Sequence, residues 1–267
     1  MSENLQILPF YLDVGYQYHR LYRAFGNKAP VLAPNGYLPP FQVMLPTGYS
    51  VKAYTVSIVT LSTGAEQGIK TPMVASGLEV RTYAEKDFEI LYYPSSGEID
   101  IPDGLYYLKV AFTGGWTLYS EVFAVADFQN LVSLTWWDDE SIEFDGQYFD
   151  FSTGFKFVAF FQSEFGKPQY QYEDAVKRRD GIDFPEKIIS WKVYRCEIIC
   201  SEFFLDGLRV ARLHSFIEVN AKGKTRKVYD LTFTLNWDEP GFYAVVTLDF
   251  QMETIAKMTG KGKVLNE

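Results

Sequence analysis

Few side chains in this chain could do chemistry, and their spacing limits what they could do together. There are two histidines, His19 and His214, and two cysteines, Cys196 and Cys200. A zinc site or a Ser-His-Asp triad would have to recruit one of the two histidines, which stand far apart along the chain. His214 falls at the end of a predicted helix, where a partly buried imidazole is expected to bond a free carbonyl. The densest acidic cluster is Asp138, Asp139, Glu140, Glu143 and Asp145, followed by Gly146. A calcium loop needs carboxylates at fixed alternate positions around a glycine turn, and this run lacks that spacing. It reads as a solvated loop. A glycosidase needs two carboxylates about 5–10 Å apart across a cleft. With 34 acidic residues available, the sequence singles out no such pair.

Cys196 and Cys200 flank the end of one predicted strand. Four residues of strand separate Cα atoms by about 13 Å, well beyond disulfide reach. Both are therefore expected to be reduced and buried, and Cys196 has no evident base to make it a nucleophile. Neither a G-x-S-x-G elbow, a Walker loop nor a dinucleotide fingerprint is present, and Gly260-Lys261-Gly262 is too short to cradle a phosphate. The one concentrated basic patch, Lys222-Gly223-Lys224-Thr225-Arg226-Lys227, reads either as a solvated hairpin tip or as a docking contact for an acidic neighbour. No catalytic, cofactor-binding or metal-ligating residue is assigned on these grounds, and no cofactor is expected.

Composition narrows the classes further. The 267 residues carry a net charge of -9, which argues against a general nucleic-acid binder, whose affinity comes mainly from neutralising phosphates. The start, MSENLQILPFYLDVGY, lacks the basic and apolar regions of a secretory signal. No run approaches the roughly 20 apolar residues of a membrane span. A soluble protein made in a cytoplasm, without membrane insertion, is the expectation. Hydrophobic content of 47% supplies a core, and 22 Phe with 19 Tyr favour pleated, half-buried surfaces and large contact faces. Aromatic-rich strands can also line sugar-binding faces, so that reading stays open.

The elements that must position these residues are mostly strands. Short apolar runs at 41–45, 51–61, 78–83, 88–93, 105–112 and 116–124 are punctuated by Gly, Pro and Ser, the pattern of a β-sandwich. The Asp103-Gly104-x-Tyr106-x-Leu108 motif is similar to the late hairpin of immunoglobulin-like and fibronectin-like domains, where a tyrosine clamps a corner. Asp127–Asn130 is the boundary candidate. Residues 1–36 read as an N-terminal arm or first strands, 37–127 as an Ig-like sandwich, 128–258 as a second β-rich domain, and 259–267 as a loose tail. In the second domain, strands are expected at 131–136, 155–161, 187–199, 216–220, 225–237 and 242–255, with a polar strand or short helix at 168–179. A helix near 201–213 is marked by Ser201 as cap, Glu202 at the positive end, and Phe204, Leu208 and Ala211 at i, i+4 and i+7.

Three stretches carry a resemblance. They are RRDGIDFPEKIISWKVYRCEIICSEFFLDGLRVARLHSFIEVN (178–220), PDGLYYLKVAFTGGWTLYSEVFAV (102–125) and LNWDEPGFYAVVTLDFQMETIAKMTGKG (235–262). Together they resemble structural proteins of tailed phages and prophages of Bacteroidota, the crAss-like phages among them. The resemblance implies a non-enzymatic virion component of the tail, connector ring or baseplate, located in the tail or portal-proximal region and made in the bacterial host. Its partners would be neighbouring virion proteins and further copies of itself in a homo-oligomeric ring. The proline-rich segment 27–40 and the hairpin 222–227 would reach adjacent subunits. A carbohydrate- or receptor-binding module of the virion is the alternative, and a tail-associated polysaccharide hydrolase a third reading.

Overall fold

The computed structural model describes residues 30–46, 54–68, 79–83, 88–93, 101–113, 117–120, 122–144, 147–152, 154–179, 181–237 and 243–258. The tail 259–267 and the N-terminal residues 1–29, with His19, lie outside the described residues. The described chain is mainly β, with one short helix.

Two-residue alternation builds the first group of strands. β1 (Val31–Pro34), β3 (Tyr54–Thr60), β4 (Glu66–Gly68), β7 (Gly104–Phe112) and β9 (Phe123–Ala126) form one sheet in the order β1-β9-β7-β3-β4. β8 (Thr117–Tyr119) also pairs β7. β7 turns Tyr106, Leu108, Val110 and Phe112 inward and its other side chains outward, as a half-buried strand requires. β1 runs parallel to β9, Val31 opposite Phe123, while the other pairings are antiparallel. A second sheet, in the order β2-β6-β5, consists of β2 (Phe41–Pro46), β5 (Glu79–Tyr83) and β6 (Phe88–Tyr93). Its Phe41 and Leu91 join the same buried cluster as the inward residues of β7, so the two sheets are sandwich-like.

One corner of this unit is clamped. Tyr106 donates its hydroxyl to the Pro102 carbonyl at 2.8 Å. The ring lies directly on Gly104, where an added Cβ would stand 3.0 Å from the hydroxyl oxygen and 3.1 Å from a ring carbon. Glycine is needed there for close approach.

β10 (Leu131–Trp137) opens the second group. Antiparallel neighbours β13 (Phe157–Gln162) and β16 (Phe216–Ala221) flank it, and β17 (Lys224–Val228) completes the order β13-β10-β16-β17. β11 (Ile142–Phe144) and β12 (Gln147–Phe149) form a small hairpin. The longest sheet joins β14 (Gln169–Arg179), β15 (Ile182–Ser201), β19 (Tyr243–Met258) and β18 (Asp230–Trp237), in the order β14-β15-β19-β18. On β19, Ala244, Val246, Leu248, Phe250 and Met252 are buried, as the alternation anticipates. The pattern slips at Glu253, which takes φ 49 where the register with β15 shifts between Trp191 and Lys192. One extra residue is thereby absorbed as a bulge. Helix α1 (Glu202–Ala211) follows β15 directly; the Ser201 hydroxyl accepts from the Phe204 N–H, and Leu208, Val210 and Ala211 are buried.

The structure departs from the sequence reading in three places. From residue 30 onward the proline-rich segment packs on its own chain rather than standing off as a free arm: Val31, Ala33 and Leu38 are buried in the core. The single strand expected at 225–237 divides at Tyr229, whose N–H bonds the Gln251 carbonyl at 2.8 Å. β17 stays with β16 while β18 joins β19; strand propensity continues through this corner, so pattern alone cannot show it. Of the two alternatives at 168–179, residues 169–179 take the strand. The helix ends at Ala211, with Arg212 as its cap.

At the expected boundary, Asn130 (φ 54) turns the chain between β9 and β10, which lie in different sheets. Packing continues across that turn. The Gln42 side-chain amide, on β2, accepts from Asp150 N–H (2.9 Å) and donates to the Asp150 carbonyl (2.7 Å). Tyr37 meets Phe160 edge-on at 4.9 Å between ring centroids.

Tyr106→Phe should lower unfolding free energy by about 1–2 kcal/mol, and Gly104→Ala by a similar amount through displacing the ring. The double variant should lose less than the sum of the two. Additive losses in denaturant titrations would show that ring and glycine do not act as one unit.

Candidate functional site

The end of the β10–β16 ladder gathers the chain's most chemically capable side chains. Trp137 faces Phe216 in that ladder, so Asp138 and Ser215 meet one step beyond it. One Asp138 oxygen accepts the Ser215 N–H at 2.8 Å, and the other lies 2.6 Å from His214 Nδ1. His214 is delivered by the end of α1, its backbone N–H reaching the Ala211 carbonyl. Its side chain is 0% exposed and stands edge-on to Phe151 at 5.4 Å. Phe157, 6.1 Å from the imidazole, is itself ringed by Trp136, Phe149, Phe151 and Phe155.

The electrostatics of the pair are consistent. Burial works to raise the Asp138 pKa, but hydrogen bonds from Ser215 and His214 prevail and hold the carboxyl below its ordinary value. Burial lowers His214, against the pull of Asp138. Both directions describe a carboxylate receiving the Nδ1–H of a neutral imidazole. A carboxylate-oriented imidazole is what a general base needs; in the described structure this ring is fully buried beside Phe151 and Phe157. It acts as a staple between helix and sheet.

The sequence-derived candidates therefore divide. His214 bonds a carboxylate rather than the free carbonyl expected of it. Asp138 leaves the acidic run and turns inward, while Asp139 and Glu140 are exposed as a solvated loop requires. The side chains of Glu143 and Asp145 lie outside the described residues. A second buried acid, Asp150, accepts from the Ser152 N–H (2.9 Å), the Ser152 hydroxyl (2.6 Å) and the Ser141 hydroxyl (3.2 Å). Cys196 and Cys200 are buried and unbridged, as their spacing anticipates. Burial pushes their thiols up to about 12 and about 11, which keeps them unreactive. Among the described residues no cluster of three His, Cys, Asp or Glu is placed to hold a metal ion. No described helix is long and apolar enough to cross a membrane.

What the chain presents outward is different in kind. On the outer face of the long sheet, Ile199 is 75% exposed and pairs across the ladder with exposed Val245, beside exposed Tyr243. Further along the same face Arg195 forms a two-bond ion pair with Asp249 at 2.7 and 2.8 Å. That face thus has an apolar end and an ion-paired end. The β16–β17 hairpin carries the basic patch; its two-residue turn places Lys222 (φ 53) and Gly223 (φ 71) in the left-handed region that such hairpins demand. Lys222, Lys224 and Lys227 are exposed, and Lys227 lies over the Tyr229 ring. These are exposed apolar and basic features of a sheet face and a hairpin turn. The sequence had singled out the hairpin; the Ile199–Val245 pair escaped because alternation marks one face of β19 as polar, and only exposure identifies the valine.

No protein-family model matches the chain, and no curated protein matches it significantly.

The Asp138–His214 pair should make stability fall in acid. His214 is held below its ordinary 6.5, so as pH drops through that value the unfolded chain takes up the proton first and stability declines. Asp138, also lowered, adds a second loss once pH falls below its ordinary 3.8. Denaturant midpoints measured from about pH 7 to about pH 5 should fall for the native chain and flatten in His214→Gln. An unchanged slope in the variant would assign the acid sensitivity elsewhere.

Proposed function

We propose that this chain is a non-enzymatic structural subunit of a phage virion, a tail, connector-ring or baseplate-type part assembling through protein–protein contacts. The observation that carries the reading is the exposed apolar end of the long sheet, Ile199, Val245 and Tyr243, in a molecule whose described histidine–carboxylate pair is buried. Interfaces draw most of their affinity from such apolar and aromatic anchors, with charged rims setting register. The resemblance of 102–125, 178–220 and 235–262 to virion proteins of Bacteroidota phages points the same way. The partners are further copies in a homo-oligomeric ring and neighbouring virion proteins, with the 222–227 hairpin as a charged contact; the net charge of -9 speaks against direct nucleic-acid binding.

Residues 37–127, with β1 added, serve in this reading as an Ig-like plate. The order β1-β9-β7-β3-β4 against β2-β6-β5, the parallel β1–β9 pair and the Tyr106 corner favour it. Residues 128–258 form the second plate. A glycan- or receptor-binding role is the alternative, favoured by Tyr170 and Tyr172, both exposed on one face of β14.

Ile199→Asp should leave stability within about 0.5 kcal/mol, since the side chain is already in water, but should reduce the mass of the native assembly. Native mass measurement on assemblies released from particles checks this. A chain occurring only as a lone monomer in the particle would contradict the ring and leave the receptor-binding reading in its place.

A further inference from the structure

The edge of the longest sheet carries a pattern that nothing above uses. β14 is an outermost strand, paired on one side with β15 and on the other with no described strand. It is eleven residues long, QYQYEDAVKRR. Gln169 to Val176 and Arg178 are exposed. Natural sheet edges are blunted by short length, charged side chains, proline or bulges, because a long regular edge recruits another strand; of these devices β14 has the charges. β14 has no proline, and its one register shift, at Ala175/Val176, skips a residue of β15 rather than of β14. The backbone edge is therefore continuous.

The charges along this edge are arranged by sign, acidic at Glu173 and Asp174, basic at Lys177, Arg178 and Arg179. A second copy approaching antiparallel reverses that order. A two-fold axis normal to the sheet keeps each side chain on its own face, so paired positions must differ by an even number. Centred on Val176, the pairing sets Val176 against Val176, Ala175 against Lys177, Asp174 against Arg178 and Glu173 against Arg179. Each of the last two pairs occurs twice by symmetry, and no like charges meet. Centred instead on Ala175, Glu173 would face Lys177, but Asp174 would face Val176, and Arg178 and Arg179 would face Tyr172 and Gln171. The Val176 register satisfies more charge and places the exposed valines together on the axis.

We propose that β14 is a two-fold self-association edge, through which two copies of this chain join their long sheets into one, with Val176 on the axis and Asp174–Arg178 and Glu173–Arg179 pairs on either side. Main-chain hydrogen bonds supply affinity and the charge pairs fix register. The contact requires nothing of the virion reading: a ring built through the outer face and the hairpin survives its failure, and the edge could pair in a protein of any role.

The test is sedimentation equilibrium on the full chain, with circular dichroism to confirm folding of each variant. The native chain should show a monomer–dimer equilibrium that weakens with salt. Asp174→Arg faces Arg178 of the second copy with a like charge at two symmetric places, and Arg178→Asp does the same to Asp174. Each should raise the dimer Kd by at least about tenfold. The double variant Asp174→Arg with Arg178→Asp restores opposite charges and should return within about threefold of the native value. A native chain that stays monomeric up to about 100 µM, about 5.5 kcal/mol of association at most, overturns the proposal. So do dimers indifferent to the single reversals, or a double variant as weak as the singles.

Discussion

Both oxygens of one carboxylate tie the end of β10 to the start of β16 and the end of α1. Asp138 sits where β10 ends, and it grips the backbone of Ser215 just before β16 begins and the ring of His214 just after α1 ends. Placing a carboxylate there costs several kcal/mol of hydration unless its oxygens are met. Two N–H donors meet them. The short aspartate side chain suits a contact one ladder step beyond Trp137 and Phe216, whose rings stack at 5.5 Å; Lys156 lies over the Trp137 ring and screens the same end of the sheet. Fixing that step fixes the β10–β16 register and, through His214, the end of the helix. The phenylalanines around the imidazole then pack against an immobile ring.

This constraint explains why the chain's most reactive-looking residues are poor candidates for chemistry in the described conformation. An imidazole oriented by a carboxylate is a common device of catalysis, but here it is closed in by Phe151 and Phe157. The cysteines lie on the core face of β15, opposite Leu248 and Ala244. Among the described residues, the proposed contacts use exposed strand faces and edges. An outer sheet face makes a flat contact, and an edge makes a paired one. If the ring and the two-fold edge both operate, the assembly acquires dihedral rather than purely cyclic symmetry.

Much of the local structure was legible in the sequence. The alternation of β19, the Ser201 cap and the Tyr106 corner each depend on residues a few positions apart, and short-range rules reach that far. The Cys196–Cys200 spacing was sufficient because strand rise alone separates the two. The junctions were not legible. Asp138 meets His214 across 76 positions, and Gln42 meets Asp150 across 108; no local preference marks either partner. β1 reads as a loop because Pro30 and Pro34 frame it, yet a parallel partner 92 positions on, Phe123 for Val31, makes it a strand. The candidate surface was half legible, since the basic hairpin announces itself by composition while the exposed Ile199 looks like any core isoleucine.

Amide hydrogen exchange, compared between the dilute chain and the same chain in its assembled state, tests most directly the claim that the interior is fixed and the exposed sheet face, edge and hairpin make the contacts. The Ser215 amide should exchange slowly in both, and protection should rise on assembly along 169–179, 197–201, 222–227 and 243–247. Equal exchange of all four outer segments in the two states, or a Ser215 amide exchanging as fast as a surface loop, would contradict the account.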